Sequence, residues 1–348
     1  MMIIYIIAAV CAALLAGFLY QTLGVRADRK RFPAPGEFVQ IGNRRVHLRD
    51  MGQGNLTVIL ESGLMSTVLA WNDIQPELAK STRVISYDRA GLGWSDGGQE
   101  PRDASRLINE LHALLAEKKI DPPYILVGHS FGGVTMPLFA TSYANEVAGI
   151  VLIDPVAPTE WNPPSEKDRK RAEIGAKVCR RASYAAHFGV LRLIVAMIQL
   201  GAKAFANRMI GTISKGAPSD SNTTESPWFW NLPAAERAMA PVFWTQAKCC
   251  RAIGSQLGNL AASCAQVLAA GPIEVPLVVI SAANVSPERL KGHRMVAERA
   301  TKGRHIIAER SGHWVTEDQP ELVIQSILEL VESAREQVAE KSQSAHGS

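Results

Sequence analysis

The sequence predicts an α/β fold in which a mostly parallel, eight-stranded sheet has helices on both faces. The main observation is that, from residue 57 onward, short apolar runs rich in β-branched residues alternate with longer segments of helical periodicity. Such alternation is typical of parallel strands connected by helices that bury both faces of the sheet. A second observation is a hairpin signal at Gly42-Asn43, between two short strand patterns, which predicts an antiparallel edge.

The predicted strands follow the apolar runs in order. The clearest helical segment between them, residues 103–119, places Leu107, Leu111, Leu114 and Leu115 on one helical face. We expect the sheet and its covering helices to occupy residues 37–154 and 270–336. The eight predicted strands are residues 37–41, 45–49, 57–60, 83–87, 124–127, 149–153, 276–280 and 305–308.

One long stretch, residues 155–269, interrupts the alternation because it contains helical patterns but no clear buried strand. Since it begins where a predicted strand ends, it predicts a helical cap inserted at the edge of the sheet where ligands bind. The final residues, 337–348, are polar and small and are expected to be disordered. The tryptophans of the predicted cap, expected mainly to form its own core, are Trp161, Trp228, Trp230 and Trp244.

The N-terminal segment is apolar, and residues 1–20 contain no charged side chain. This is about the length that a helix needs to cross the hydrocarbon core of a bilayer. No positive side chain precedes the long apolar run, which favours a retained transmembrane anchor at residues 1–22 over a cleaved signal peptide. A basic cluster in the predicted linker, residues 23–36, favours a cytoplasmic main domain. Cleavage and export of the domain stay open as the alternative.

Composition narrows the possible functions. An apolar fraction of 47% and a charged fraction of 20% over 348 residues are those of a globular protein. The net charge of +4 arises near the anchor and not from a basic stripe with interleaved aromatics, so we expect no nucleic-acid partner. The five cysteines lack C-x-x-C spacing and nearby histidines, which argues against a disulfide scaffold or a metal site and favours a reducing compartment.

The clearest chemical motif is Gly-His-Ser-Phe-Gly at residues 128–132, between a predicted buried strand and a helical pattern. A sharp turn from strand to helix at such a motif exposes the serine hydroxyl and is called a nucleophile elbow. The flanking glycines allow neighbouring backbone to crowd the strained serine, and the start of the next helix favours the negative charge that develops during attack. We therefore predict that Ser130 is a nucleophile.

His313 is the predicted general base for Ser130, because it follows the last predicted strand by a few residues. Other histidines fit this role less well. His305 lies within that strand and is expected to be packed or at the surface. His129 is expected to point away from its neighbour, and His293, in a charged helical stretch, is expected to be exposed to solvent.

The acid that orients the imidazole has two candidates. Its usual place is the end of the penultimate strand, but no aspartate follows residues 276–280, and the next carboxylate is Glu288. Asp154 ends the strand after the candidate nucleophile and would lie beside the elbow. We prefer Asp154 as the acid and keep Glu288 as the alternative, while Asp154 as a turn cap before Pro155 is the purely structural interpretation.

Two backbone N–H groups are expected to form an oxyanion hole. One is that of Phe131, directly after the candidate nucleophile. The other is that of Leu64, in the loop after the strand at residues 57–60, where Gly63 allows the backbone to approach.

Four motifs together resemble the α/β-hydrolase superfamily, most closely its esterase-like bacterial branch with haloalkane dehalogenases and cofactor-free haloperoxidases. The resemblance covers roughly residues 38–332 and implies an α/β-hydrolase fold. It also implies that the Asp-Arg-x-Gly-x-Gly stretch ties a loop beside the site, so Asp88, Arg89 and Asp96 receive no chemical role. The motifs are Glu-Ser-Gly-Leu at 61–64, Tyr-Asp-Arg-Ala-Gly-Leu-Gly-Trp-Ser-Asp at 87–96, Gly-His-Ser-Phe-Gly-Gly at 128–133 and Ser-Gly-His-Trp at 311–314.

The sequence departs from this family at two places. Many relatives carry His-Gly where this chain has Ser62-Gly63. This difference does not remove an oxyanion donor that is a backbone N–H group. The acid after the penultimate strand is missing, but some dehalogenases place it after the preceding strand, and residues 154–161 look similar to that region, which supports Asp154. Dehalogenases and epoxide hydrolases use an aspartate nucleophile, so Ser130 argues against those chemistries.

The predicted function is hydrolysis of a small-molecule carboxylic ester through Ser130, His313 and Asp154, with an acyl-enzyme intermediate. No cofactor is implied. The anchor and the tryptophans of the cap suggest a hydrophobic or lipid-like acyl chain. Haloperoxidase-like chemistry on the same triad and a catalytically silent, ligand-binding scaffold are the alternatives.

Overall fold

The computed structural model of the chain describes residues 1–201 and 233–346. Its centre is an eight-stranded sheet with the strand order β1-β2-β4-β3-β5-β6-β7-β8. The pairs β1–β2 and β2–β4 are antiparallel, and every later pair is parallel. The strands are β1 Glu37–Ile41, β2 Arg44–Met51, β3 Thr57–Glu61, β4 Arg83–Tyr87, β5 Tyr124–His129, β6 Val147–Ile153, β7 Leu277–Ala282 and β8 Gly303–Ala308. The predicted fold, including the antiparallel edge, is confirmed.

Helices cover both faces of the sheet. Helices α3 and α4 pack on one face, and the C-terminal helix α12 packs on the other. Short 3-10 turns occupy Val68–Trp71, Ala144–Glu146 and Pro158–Glu160. The helices are α1 Met2–Arg31, α2 Gln75–Leu78, α3 Ala104–Glu117, α4 Gly132–Ser142, α5 Glu166–His187, α6 Val190–Gln199, α7 Ala234–Phe243, α8 Ala247–Gly258, α9 Leu260–Ala269, α10 Pro287–Glu298, α11 Val315–Asp318 and α12 Pro320–His346.

The central strand β5 shows why the apolar runs are continuous. Tyr124 and Leu126 belong to the core beneath α3 and α4, whereas Ile125 and Val127 belong to the core beneath α12. Successive side chains of a strand point to opposite faces, so a sheet covered on both sides requires apolar residues at every position. All four side chains are buried.

In the described parts of the predicted cap, residues 155–201 and 233–269, the structure has the helices α5 to α9. Helix α5 packs along α8, and the N-cap of α5 is Ser165, whose hydroxyl accepts from the backbone N–H of Asp168. Trp161 and Trp244 lie in this region, and both are partly buried. Trp228 and Trp230 lie outside the described residues.

Helix α1 is longer than the predicted anchor at residues 1–22, and it includes most of the predicted linker. It continues because no proline interrupts it. It ends at Arg31, with Phe32 as the C-cap, because Pro33 disfavours helical backbone at the residue before it. Residues 1–16 are exposed, whereas Gln21 is buried and donates to the carbonyl oxygen of Thr245 at 2.9 Å. By length and composition, α1 is able to cross a membrane.

The C-terminal segment also differs from its prediction. Residues 337–348 were expected to be disordered, but α12 continues as a helix to His346. The physical reason lies in the sequence, because residues 336–346 contain alanine, glutamate, glutamine and lysine and neither glycine nor proline. Low apolar content alone therefore does not end this helix.

We predict that Gly128→Ala destabilises the fold by about 1–3 kcal/mol, because a new Cβ would overpack the junction of β5 and α4. A Cβ at Gly128 would lie 2.5 Å from the carbonyl oxygen of Gly132. The matched control is Gly271→Ala, where a Cβ would meet no atom within 4 Å. Denaturant unfolding in detergent micelles measures both, and equal stability of the two variants would contradict the prediction.

Candidate functional site

Ser130 lies in the turn between β5 and α4, at the carboxyl end of the central strand. Its backbone has a φ of 53°, in the left-handed region that non-glycine residues rarely adopt. The N–H of Ser130 donates to the carbonyl oxygen of Ile153 at 2.9 Å, and its own carbonyl accepts from Val156 at 2.9 Å. These bonds to β6 and the residues after it hold the strained turn in place.

His313 lies in the loop between β8 and α11 and faces Ser130. Its Nε2 is 3.1 Å from the Ser130 hydroxyl oxygen, and its Nδ1 is 2.6 Å from a carboxylate oxygen of Asp154. The side chain of His313 is 41% exposed, whereas that of Asp154 is only 2% exposed. The imidazole therefore stands between a buried carboxylate and a hydroxyl that substrate is able to reach.

Asp154 is the residue directly after β6, and its φ of 37° is also in the left-handed region. Its N–H donates to Ile280 at 2.6 Å, and its second carboxylate oxygen accepts from the N–H of Ala282 at 3.1 Å. Burial opposes ionisation of Asp154 and so acts to raise its pKa. The pKa nevertheless lies below its usual value, because the carboxylate accepts hydrogen bonds from His313 and Ala282 and is attracted by the positive charge of His313.

Glu288, the alternative acid, lies in the first turn of α10 and is exposed. It lines a surface pocket of about 600 Å³ that Asp154 and His313 also line. The Nδ1 atom of His313 nevertheless bonds to Asp154. The structure thus brings Asp154 and Ser130 to the two nitrogens of His313, and it leaves Glu288 at the rim.

The loop after β3, with Leu64, lies against Ser130. A Cβ built on Gly63 would be 3.5 Å from the Cβ of Ser130, so a side chain at Gly63 would fill the space beside the hydroxyl. Within the described residues, the N–H groups of Leu64 and Phe131 donate to no acceptor. Both groups belong to backbone that adjoins Ser130.

Arg89 supports this loop from beneath. Its guanidinium donates to the carbonyl oxygens of Ser62 at 2.7 Å and Leu64 at 3.2 Å, and it also bonds to the Gly63 carbonyl and forms a buried ion pair with Glu61. These contacts agree with the structural role expected for the Asp-Arg-x-Gly-x-Gly stretch.

The two aspartates of the same stretch also bind backbone. Asp88 accepts from the N–H groups of Val68 at 2.9 Å and Trp94 at 3.0 Å. Asp96 accepts from the N–H and the side chain of Arg45. Neither carboxylate bonds to Ser130, His313 or Asp154 among the described residues, which again agrees with a structural role.

His129 has a contact that sequence reasoning missed. Its ring is fully buried, its Nε2 donates to the backbone carbonyl of His313 at 2.9 Å, and it packs 4.9 Å from the rings of both His313 and Trp314. Burial and the adjacent charge of His313 hold the pKa of His129 well below its usual value. This bond and these ring contacts attach His129 to the loop of the candidate base.

Glu236 on α7 is a second residue that sequence reasoning missed. One of its carboxylate oxygens accepts from the Ser66 hydroxyl at 2.8 Å and from the N–H and hydroxyl of Thr67 at 2.7 and 2.9 Å. Burial raises the pKa of Glu236 to about 7, although these hydrogen bonds act in the opposite direction. Glu236 therefore links the cap to the loop that bears Leu64.

The expectation that His293 is exposed is wrong. The side chain is fully buried, because the face of α10 that contains it packs on β7 and β8. Its Nε2 donates to the Pro155 carbonyl at 2.7 Å, and its Nδ1 lies 2.6 Å from the Ser281 hydroxyl. His305, which is partly buried as expected, bonds to the same hydroxyl at 2.7 Å. The Pro155 carbonyl is next to Asp154, so this chain of bonds supports the turn of the candidate acid.

Comparisons with known proteins agree with the geometry. A sequence model of the alpha/beta hydrolase family matches residues 58–326. The chain is 32% identical over 104 residues to the uncharacterized protein YqjL of Bacillus subtilis, a match that covers 30% of this chain and 41% of YqjL. It is 29% identical over 138 residues to a haloalkane dehalogenase of Sphingobium indicum, which covers 38% of this chain and 46% of that protein. The chain thus spans under half the length of these curated relatives.

A solved structure with the same fold is the enol-lactonase from Burkholderia xenovorans LB400. The two proteins are 17% identical with a TM-score of 0.52, over 85% of this chain and 100% of the lactonase. At 17% sequence identity, this similarity shows a shared fold and no more. The strand order, the serine turn after β5 and the match over residues 58–326 lead to one conclusion. The chain belongs to the alpha/beta hydrolase family.

Proposed function

We propose that the protein is a serine hydrolase that cleaves a carboxylic ester through Ser130, His313 and Asp154. The observation that carries the proposal is the continuous hydrogen-bonded series from the Asp154 carboxylate through both nitrogens of His313 to the Ser130 hydroxyl, at 2.6 and 3.1 Å. This is the arrangement that an activated serine requires, with a nucleophile, a base and a group that orients the base.

The proposed reaction proceeds by acyl transfer. Asp154 accepts a hydrogen bond from the Nδ1–H of His313, so that Nε2 carries the lone pair that takes the proton of Ser130 as the serine oxygen attacks the ester carbonyl. The N–H groups of Leu64 and Phe131 stabilise the resulting oxyanion. His313 then gives its proton to the departing alcohol, and a water molecule that His313 activates hydrolyses the acyl-enzyme.

An ester is the substrate class that this chemistry favours. The enol-lactonase of the same fold is named for a lactone, which is a cyclic ester. The similarity to a haloalkane dehalogenase does not extend the proposal to dehalogenation, because the family resemblance implies an aspartate nucleophile for that chemistry and the nucleophile motif of this chain contains Ser130. The apolar N-terminal helix favours an ester with a hydrophobic acyl chain.

We also infer that α1 is a retained membrane anchor. Its first residues are charge-free and exposed, and they have the length and hydropathy of a membrane-spanning helix. Arg26, Arg29, Lys30 and Arg31 follow on the same helix, which favours a cytoplasmic main domain.

Replacing Ser130 with alanine should abolish labelling by a fluorophosphonate probe and reduce ester hydrolysis by at least about a thousandfold, because the variant lacks the proposed nucleophile. The matched control is Ser142→Ala, an exposed serine at the end of α4, which should label as the wild type does. Gel fluorescence of the full chain in detergent micelles measures both variants. Persistent labelling of the Ser130 variant would contradict the assignment.

The acid is tested by comparing Asp154→Asn with Glu288→Gln. Loss of the buried carboxylate should lower kcat by about ten-thousandfold, because the imidazole loses the partner that sets its tautomer. The exposed Glu288 bonds to neither nitrogen of His313, and its variant should keep near wild-type turnover. The reverse ranking in a chromogenic ester assay would assign the acid to Glu288.

A further prediction is that the ionisation of His129 makes the stability of the fold depend on pH. The folded protein holds His129 neutral, and the unfolded chain takes up a proton near the ordinary histidine pKa of about 6.5, so its contribution to stability is present above that pH and is lost below it. We expect wild type to lose on the order of 1 kcal/mol more than His129→Gln between about pH 6.5 and pH 5.5. Glutamine keeps a donor for the His313 carbonyl. Equal pH dependence in denaturant unfolding would show that His129 does not titrate in this way.

A further inference from the structure

The length of α1 that extends beyond the rest of the protein is short for a bilayer. Residues 1–16 are exposed throughout, and a helix of this length measures about 24 Å at about 1.5 Å per residue. The hydrocarbon core of a bilayer is about 30 Å thick. If α1 spans it, about four more residues, as far as Tyr20, must also lie in the hydrocarbon.

These additional residues contact the cap. Gly17 packs directly against the backbone of Phe188, and a Cβ on Gly189 would lie 2.7 Å from the ring of Tyr20. Phe188 and Gly189 form the junction where α5 ends and α6 begins, with an angle of 87° between the two helices. This junction therefore lies at the same depth as the last apolar residues of α1.

The surface around the junction is apolar and exposed. Helix α6 has the sequence VLRLIVAMIQ and contains one charged residue, Arg192. Its exposed large side chains and those beside it include Tyr184 at 66% and Leu200 at 85%. The full set is Tyr184, Phe188, Leu193, Ile198 and Leu200. We call residues 184–200 the cap corner.

The one charge of α6 is neutralised by α1. The guanidinium of Arg192 forms an ion pair with Asp28 at 2.6 Å and bonds to the side chain of Gln21 at 3.2 Å, and Gly24 leaves room for it. The charge is thus held on the side of α6 that faces α1. The other exposed side chains of α6 are free to contact a nonpolar solvent.

We propose that the cap corner is a second membrane-contacting surface, which lies in the boundary between headgroups and acyl chains of the bilayer that α1 spans. The proposal rests on the proposed anchoring of α1. The cap corner contacts lipid, because its apolar surface is continuous with a helix of membrane-spanning length. The basic cluster at residues 26–31 lies further along the same helix, at the level of the headgroups, and favours anionic lipid.

Lipid contact is tested with single bimane labels on the full chain in two sets of phosphatidylcholine vesicles, one with acyl chains brominated near the headgroups, to reach positions 193 and 200, and one with acyl chains brominated near the bilayer centre, to reach position 11. Cys11 and Cys179 are the two free cysteines that are not buried in the described structure, and the starting variant carries serine at both. Labels are placed at Leu193→Cys and Leu200→Cys. Retained Cys11, in α1, is the positive control, and Glu173→Cys, on the exposed side of α5, is the matched aqueous control.

We expect brominated lipid to reduce fluorescence at positions 11, 193 and 200 at least about twofold, while iodide in the buffer quenches only position 173. Iodide quenching at 193 and 200, with lipid quenching at 11, would overturn the proposal and leave the anchor intact. Absence of lipid quenching at position 11 would overturn both. Circular dichroism of the same samples checks that each variant is folded, and fluorophosphonate labelling reports on the proposed hydrolase activity separately.

Discussion

The carboxyl ends of β5 and β6 each pass into a residue with left-handed backbone, Ser130 and Asp154. Such conformations cost on the order of 1–3 kcal/mol each, and they persist only where the surroundings hold them. Here each turn is bonded to the next strand of the sheet, Ser130 to Ile153 at 2.9 Å and Asp154 to Ile280 at 2.6 Å. The strained turns direct both side chains toward the same loop, so the position of the candidate triad follows from the order of the parallel strands.

The oxyanion loop depends on a separate set of contacts. From the core, Arg89 binds three successive carbonyls of the loop and pairs with Glu61, and from the cap, Glu236 binds Ser66 and Thr67. Buried ion pairs contribute little net stability, but removal of one partner leaves an uncompensated charge. The Arg89 pair is therefore better understood as a device that fixes the loop beside Ser130 than as a source of folding energy.

Local pattern was sufficient to predict most of the sheet, the serine turn and the late histidine, because strand periodicity and turn chemistry depend on nearby residues. The sequence left two candidates for the acid, Asp154 and Glu288, because the strand order decides which of them lies beside His313. The contacts of His129, His293 and Glu236 were missed because each joins residues that are far apart in the sequence, so the partner depends on how strands, helices and loops pack. Helix α1 extends past the predicted anchor, and α12 extends into the segment that was predicted to be disordered, because residues of high helix propensity continue where the sequence becomes polar.

The anchor and the oxyanion loop are attached to the same part of the cap. Gln21 of α1 donates to the carbonyl of Thr245, two residues after α7 ends at Phe243, and Glu236 in the first turn of α7 holds Thr67. A segment of little more than ten residues, 234–245, thus contacts both the helix proposed to cross the membrane and the loop beside the candidate nucleophile. The contacts of α1 and those of the oxyanion loop therefore both depend on the position of this one close-packed segment.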